Sequence, residues 1–392
     1  MIYLDHHAST PVDPLVVEAM LPWLTTHFGN PHSHTHAIGR QAAAACETAL
    51  QSIASHLGVN ANLIVVTSGA TESNNLAIDG VIKHPRQKRR HIITAATEHP
   101  AVLDPVRRLE RQGYRVTVLP VYQQGEPNCG QINLDELRGA IDVDTAVVSI
   151  MFANNEIGTV QPLKDIAAIV HESGAILHCD ASQAVGRLTI NIADFDIDLL
   201  SASAHKFYGP QGIGFLAIGS QRRVRLRPIL EGGGQQNGLR SGTMNVAGLV
   251  GMSAALRACC RDLDADTARQ RSLRDDLWHQ LQQAFSNLVL NGPPVEAGAA
   301  QGNNRLPNNL NVSLENVEGE TLMAAAPELA ISSGSACSSV DPRPSHVLTA
   351  IGSSESQARR SLRFGIGRFT TAKDIDDAVA MLTQAYAKVS LG

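Results

Sequence analysis

The chain has 392 residues, 43% hydrophobic and 18% charged, a length and balance that fit a globular protein with more than one core. A formal net charge of -5 gives no electrostatic basis for binding nucleic acid or an anionic membrane. The opening MIYLDHHAST lacks a basic segment followed by an apolar one, and no later run reaches the length of a membrane span, so a cytoplasmic location is expected.

In chain order, HSHTH (residues 32–36, with His32, His34 and His36) lies in a Gly/Pro-bounded loop with His27. Alternate histidines can chelate a metal, but without carboxylates the stretch reads as an exposed polar loop, and no metal site is expected. From about residue 60 to 220, short apolar runs alternate with helical patterns. The runs are Leu63–Thr67, His91–Ala95, Ala146–Phe152, Ala175–Cys179 and Asp198–Ala202, and segments such as Pro105–Gln112 and Lys164–Glu172 have helical spacing. That alternation predicts an α/β fold with a mostly parallel sheet covered on both faces. The basic run Lys83–His91 reads as a solvated connection. After residue 245 the texture changes. Val246–Phe285 predicts one or two long helices, shorter strands follow in LPNNLNVSL and ELAISS, and a last helix spans Lys373–Val389. Pro327 predicts an early end for the helix near Glu320–Glu328. The expected division is a large domain over 13–255 and a small α+β domain formed by 1–12 and 256–392.

In open parallel sheets ligands bind at the carboxyl ends of the strands. Five strand ends supply, in order, Ser68-Gly69-Ala70-Thr71 opening a helix, Glu98-His99, Asn154-Asn155-Glu156, Asp180 with Gln183 one turn on, and His205-Lys206 before a glycine-rich turn. A helix N-terminus with small and hydroxyl residues offers free N–H groups to a phosphate. Taken singly, each group has an ordinary structural role: a helix cap for Asp180, a packed ring for His99. Together they match the needs of pyridoxal 5'-phosphate, which wants a lysine amine for its aldehyde, a carboxylate at its pyridine nitrogen and donors for its phosphate. Of the six lysines, Lys83 and Lys88 lie in the basic run and Lys164, Lys373 and Lys388 on polar helix faces, leaving Lys206.

Six cysteines (Cys46, Cys129, Cys179, Cys259, Cys260, Cys337) include no CxxC pair, so neither a disulfide framework nor a thiolate zinc or iron–sulfur site is expected. Cys337 differs from the others in lying among small residues, SSGSACSS, a texture suited to a thiol that enters and leaves a site.

Over nearly its whole length the sequence resembles the class V aminotransferase group of fold-type I pyridoxal enzymes, and within it the cysteine desulfurases of the NifS/IscS kind. The motifs are YLDHHASTPVDP, FGNPHS, TSGATESNNLAI, TEHPAVL, ANNEIGTVQP, HCDASQAVG, SASAHKFYGPQGIG, GGGQQNGLRSGT, SSGSACSS, PSHVL and SLRFGIGRFTT. The resemblance implies that Lys206 anchors the cofactor, Asp180 pairs with its ring nitrogen, His99 stacks on the ring and Gln183 meets the ring oxygen. It implies a phosphate site of Ala70, Thr71, Ser203 and His205, with Thr243 reaching the phosphate of a neighbouring subunit in a homodimer. Asn155 and Arg363 would hold the carboxylate of L-cysteine, and Cys337 would take its sulfur as a persulfide for a sulfur-acceptor or scaffold protein. His99 would also move protons to or from the substrate thiol.

Three departures stand out: His6-His7 where the family more often has Asn-Asn or Tyr-Ser, the VDPRP run after Cys337, and Pro327. Competing readings are an aminotransferase or selenocysteine or cysteine-sulfinate lyase of the same fold, and a sulfur-assembly scaffold without activity.

Overall fold

The computed structural model describes residues 1–295, 304–333 and 344–390. A two-residue strand β1 (Ile2–Tyr3) precedes helices α1 (Pro14–Thr25) and α2 (Ala37–Leu57). α1 begins where the Asp13 carboxylate accepts from the Leu15 N–H and Pro14 fills the first turn, where a missing N–H is harmless. α2 stops at Gly58, whose φ of 70° is open to glycine and costly for other residues.

Seven strands make the main sheet: β2 (Ile64–Thr67), β3 (His91–Ala95), β4 (Arg115–Leu119), β5 (Thr145–Ser149), β6 (Ile176–Asp180), β7 (Leu199–Ser203) and β8 (Gly214–Ile218). Between them run α3 (Ala70–Ile82), α4 (Pro100–Arg111), α5 (Leu134–Ala140) and α6 (Leu163–Glu172). The order is β2-β8-β7-β6-β5-β3-β4, parallel throughout except that β8 runs antiparallel to both β2 and β7. Apolar runs became strands buried at every residue in β3, β5 and β7, as two-sided covering requires. The expected run 146–152 forms its strand only over Thr145–Ser149. Its last three residues leave the sheet to enter the loop that carries Asn154 and Asn155. α4 begins five residues earlier than the pattern from Pro105 suggests, because Pro100 opens the helix and His99 caps it.

Val246–Phe285 is two helices, α7 (Val246–Arg261) and α8 (Leu263–Ala284), divided at Asp262. α7 packs against α1 and α2 and adds Leu249, Met252 and Leu256 to the core on one face of the main sheet. The remaining elements are β9 (Leu288–Leu290), β10 (Asn309–Leu314), α9 (Gly319–Ala325), β11 (Leu329–Ala330), β12 (Ser332–Ser333), α10 (His346–Ala350), α11 (Glu355–Arg359), β13 (Ser361–Gly365) and α12 (Ala372–Ser390). They form an antiparallel sheet, β12-β13-β10-β9, while β1 pairs in parallel with β11. α9 ends two residues before Pro327, as the proline predicts.

β10 shows how this second unit meets the first. Leu310, Val312 and Leu314 pack with Leu277 and Leu281 of α8 and Ile375 and Leu382 of α12 in a separate apolar cluster. Burying each leucine contributes roughly 2 kcal/mol. The alternate residues are polar yet equally buried. Asn309 and Asn311 donate to the Glu156 carbonyl at 3.0 and 3.1 Å, fixing the small sheet to a strand-end loop of the large one.

Candidate active site

The carboxyl ends of the parallel strands open on a cavity of about 590 Å³. Ala70, Thr71, His99, Asn155, Asp180, Gln183, Ser203, His205, Lys206 and Arg363 all line it. Thr243 is exposed and does not line this cavity, and Cys337 lies outside the described residues.

The α3 end of the cavity is set by backbone. Gly69 has φ 149°, and a side chain there would meet the Ser203 hydroxyl at 3.3 Å. No side chain caps α3, so the first N–H groups of the helix stay available beside Thr71 and Ser203. β8 can pass this turn only as glycine: a Cβ on Gly214 would lie 2.7 Å from the Gly69 Cα. His205 hydrogen-bonds through Nδ1 with the Ser9 hydroxyl at 3.2 Å, and burial together with Lys206 pushes its pKa down to about 4.

Asp180, at the end of β6, is buried, and each of its oxygens accepts one hydrogen bond. Oδ2 accepts from Asn74 Nδ2 at 2.7 Å and Oδ1 from the Ser182 N–H at 2.9 Å. Below it, Glu98 accepts from the Met151 N–H at 2.6 Å. Its other oxygen has no partner among the described residues, and burial with nearby Asp180 raises its pKa well above the carboxylate range. The Lys206 amine donates to the carbonyl oxygens of His7 and Ala8 at 2.6 and 2.8 Å. His99 accepts the Ala101 N–H on Nδ1 at 3.0 Å, which leaves Nε2 as the protonated nitrogen of the neutral ring. Burial lowers its pKa, favouring that neutral form, with Asp180 opposing and Lys206 reinforcing the shift.

Arg363 reaches the cavity from β13. Its Nη2 donates to Asp5 Oδ1 at 2.8 Å and to the Ser332 hydroxyl at 3.0 Å, and Nη1 to the Asn155 carbonyl at 3.3 Å. Its Nε is buried and has no partner among the described residues.

Residues 2–378 match the family model for class-V aminotransferases. The chain belongs to that family. Within it the chain is a member of the cysteine desulfurases: it is 45% identical, over 99% of its own length and 92% of the relative's, to "Cysteine desulfurase IscS" of Rickettsia rickettsii (strain Iowa). A solved structure titled "NIFS-LIKE PROTEIN" superposes with TM-score 0.89 at 33% identity, covering 99% of both chains. Another, "SspA in complex with cysteine", gives TM-score 0.79 at 35% identity over 95% of this chain and 100% of that one. The expected family and its mostly parallel fold-type I architecture are thus both found.

Several cavity-side residues escape a reading of strand ends. Asn74 lies a turn into α3, and its spacing from Ala70 is the only hint that it faces Asp180. Asp5, His7 and Ser9 come from a segment nearly 200 residues from Lys206 in sequence. Arg187, one turn after Gln183, donates to its side-chain oxygen at 3.0 Å.

Proposed function

We propose that the chain is a pyridoxal-phosphate cysteine desulfurase, converting L-cysteine to L-alanine and passing the sulfur to Cys337 as a persulfide. The observation that carries this reading is the convergence of Lys206, Asp180, His99 and Arg363 on one cavity in a chain of this family. The donor set fits the cofactor. Lys206 would hold its aldehyde carbon and Asp180 its ring nitrogen, with His99 against the ring and Gln183 at the ring oxygen. Its phosphate would take the open α3 N-terminus with Ala70, Thr71, Ser203 and His205. When bound, that cofactor supplies an electron sink at the substrate's α-carbon.

The chain's own residues do the rest. Arg363, with Asn155, orients the substrate carboxylate. The Lys206 amine takes the α-proton, and the nearby carbonyls of His7 and Ala8 accept hydrogen bonds from the protonated amine. The Cys337 thiolate attacks the substrate sulfur: a sulfur–sulfur bond forms, the carbon–sulfur bond breaks with its electron pair staying on carbon, and protonation of the β-carbon with return of a proton from Lys206 to the α-carbon gives alanine. His99, neutral with a proton on Nε2, can exchange that proton with the substrate thiol.

Thr243 would complete the phosphate site of a second subunit. A homodimer is supported by the apolar outer face of α1 and the loop after it, where Leu21, Leu24 and Phe28 are 56%, 65% and 75% exposed. We divide the chain into the large domain 13–255 and the small domain 1–12 with 256–392, a division supported by the separate cluster of β10, α8 and α12, while Leu256, Cys259, Val347, Leu348, Ile351 and Ala358 pack with the core of the large sheet. A sulfur-acceptor or scaffold protein, including one for iron–sulfur clusters, would receive the persulfide sulfur. The unpaired cysteines suit a reducing, cytoplasmic setting, and no described helix is long and apolar enough to cross a membrane.

Mass spectrometry of the protein after incubation with L-cysteine tests the assignment. A gain of one sulfur on Cys337, absent in Cys337→Ser, is expected. Alanine and sulfide released at an undiminished rate by Cys337→Ser would overturn it.

A further inference from the structure

His7 replaces the asparagine or serine that the resembling family more often carries, and its hydrogen bonds leave a single chemical state. Arg187 can only donate, so the Gln183 atom it touches is the amide oxygen, and the Gln183 nitrogen is the atom that meets the His7 carbonyl at 3.0 Å. His7 Nδ1, 3.0 Å from that same oxygen, must therefore donate. Asn309 is fixed in the same way. Its oxygen accepts from Arg305 and its nitrogen donates to the Glu156 carbonyl, so His7 Nε2, 3.2 Å from that nitrogen, must accept. The ring is neutral, protonated on Nδ1 and 1% exposed. Arg187, Arg363 and Lys206 all disfavour a charge on it, as does its burial.

We propose that His7 is a positioning residue for the cofactor's ring oxygen, acting through Gln183. Its carbonyl and its ring grip both ends of the Gln183 amide. One Gln183 N–H is thereby spent on the His7 carbonyl, and the second is the donor that the cavity receives. The same carbonyl takes the Lys206 amine at 2.6 Å, so one residue sets two of the groups that surround the cofactor. Through Nε2 the ring is also tied to β10, so this geometry is shared with the small sheet. A serine hydroxyl is too short to span Gln183 and Asn309. An asparagine could replace the bond to Gln183 alone.

The inference rests on the cofactor reading above. The test titrates the cofactor-stripped chain with pyridoxal phosphate and records affinity and the visible absorption band. His7→Ala should weaken affinity about tenfold, the worth of one buried hydrogen bond, and move the band. Gln183→Ala should do the same, and the double variant should be no worse than Gln183→Ala alone. His7→Asn should recover part of the loss. His7→Ser, a residue the family tolerates here, should behave like the alanine variant and serves if that one does not fold. Unchanged affinity and band in His7→Ser, or effects of His7 and Gln183 that simply add, would overturn the proposal while leaving the cofactor reading intact. A wild-type chain that shows no visible band with pyridoxal phosphate would overturn both.

Discussion

The two walls of the cavity are built differently. On the large-sheet side each functional group stands at the end of its own strand: His99 after β3, Asp180 on β6, Lys206 after β7. His99 and Asp180 are held by local backbone and by Asn74 of α3, and only the Lys206 amine reaches across, to the carbonyls of His7 and Ala8. On the opposite side, Asp5, His7, Asn309, Ser332 and Arg363 come from four separate stretches of sequence, with His7 bonded to Asn309 and Asp5, Ser332 and Arg363 bonded to one another. The first wall is set by topology. The second is a mutual network in which removing one member disturbs the rest.

Changes on the two walls should therefore fail in different ways. The largest effect is expected for Lys206→Ala, which should abolish the visible band of bound cofactor and lower kcat by on the order of 10³-fold or more, while the unfolding midpoint stays close to wild type. A large stability loss there would erase the contrast. Asp5→Ala should do the reverse. It takes away the carboxylate paired at 2.8 Å with the buried Arg363, and a loss of about 3 kcal/mol in urea unfolding is expected. Alanine that unfolds like wild type would mean that Ser332 and Asn155 suffice.

Acid should weaken the large sheet. His178, between Ser149 and Ser201 on neighbouring strands, has its pKa pushed down by burial to about 4 from an ordinary 6.5. The unfolded chain therefore binds a proton that the folded chain refuses between those values. This contribution is complete above about pH 6.5 and is lost as pH falls toward 4, roughly 3 kcal/mol. His178→Gln should flatten the fall in urea midpoint over that window, and an unchanged slope would remove His178 as its source. The smallest effect is expected for Ser345→Ala, which deletes a hydroxyl donor to buried Glu156 and should cost about 1 kcal/mol. Calorimetry would register a shift of only a few degrees, and a drop like that of Asp5→Ala would extend the network to α10.

The first wall was largely legible because apolar runs mark strands and strand ends mark ligand sites. Lys206 followed from that rule together with elimination among the six lysines and the family resemblance, and Asp180 from its conjunction with Lys206. Strand direction was not legible: β8 is as apolar as its neighbours, and only its antiparallel pairing between β2 and β7 brings Gly214 against Gly69. β4, in which polar Arg115 and Thr117 alternate with the valines and only Leu119 is buried, was not among the continuous apolar runs. The second wall could not be read by spacing at all. His7 and Gln183 are 176 residues apart, and nothing local distinguishes Asn309 as a partner from any buried asparagine of a strand. Resemblance supplied Arg363, yet not the fact that Asp5 already holds it.

That pairing bears on turnover. A guanidinium facing no acid would clasp any amino acid firmly, product included, because alanine leaves with the same carboxylate that cysteine brings. With Asp5 drawing off part of its charge, an Arg363 that holds the substrate as proposed would recognise the arriving acid by shape and direction more than by raw attraction. Its hold would then be no tighter on alanine than on cysteine, and the contact that orients the precursor would ease the product's exit.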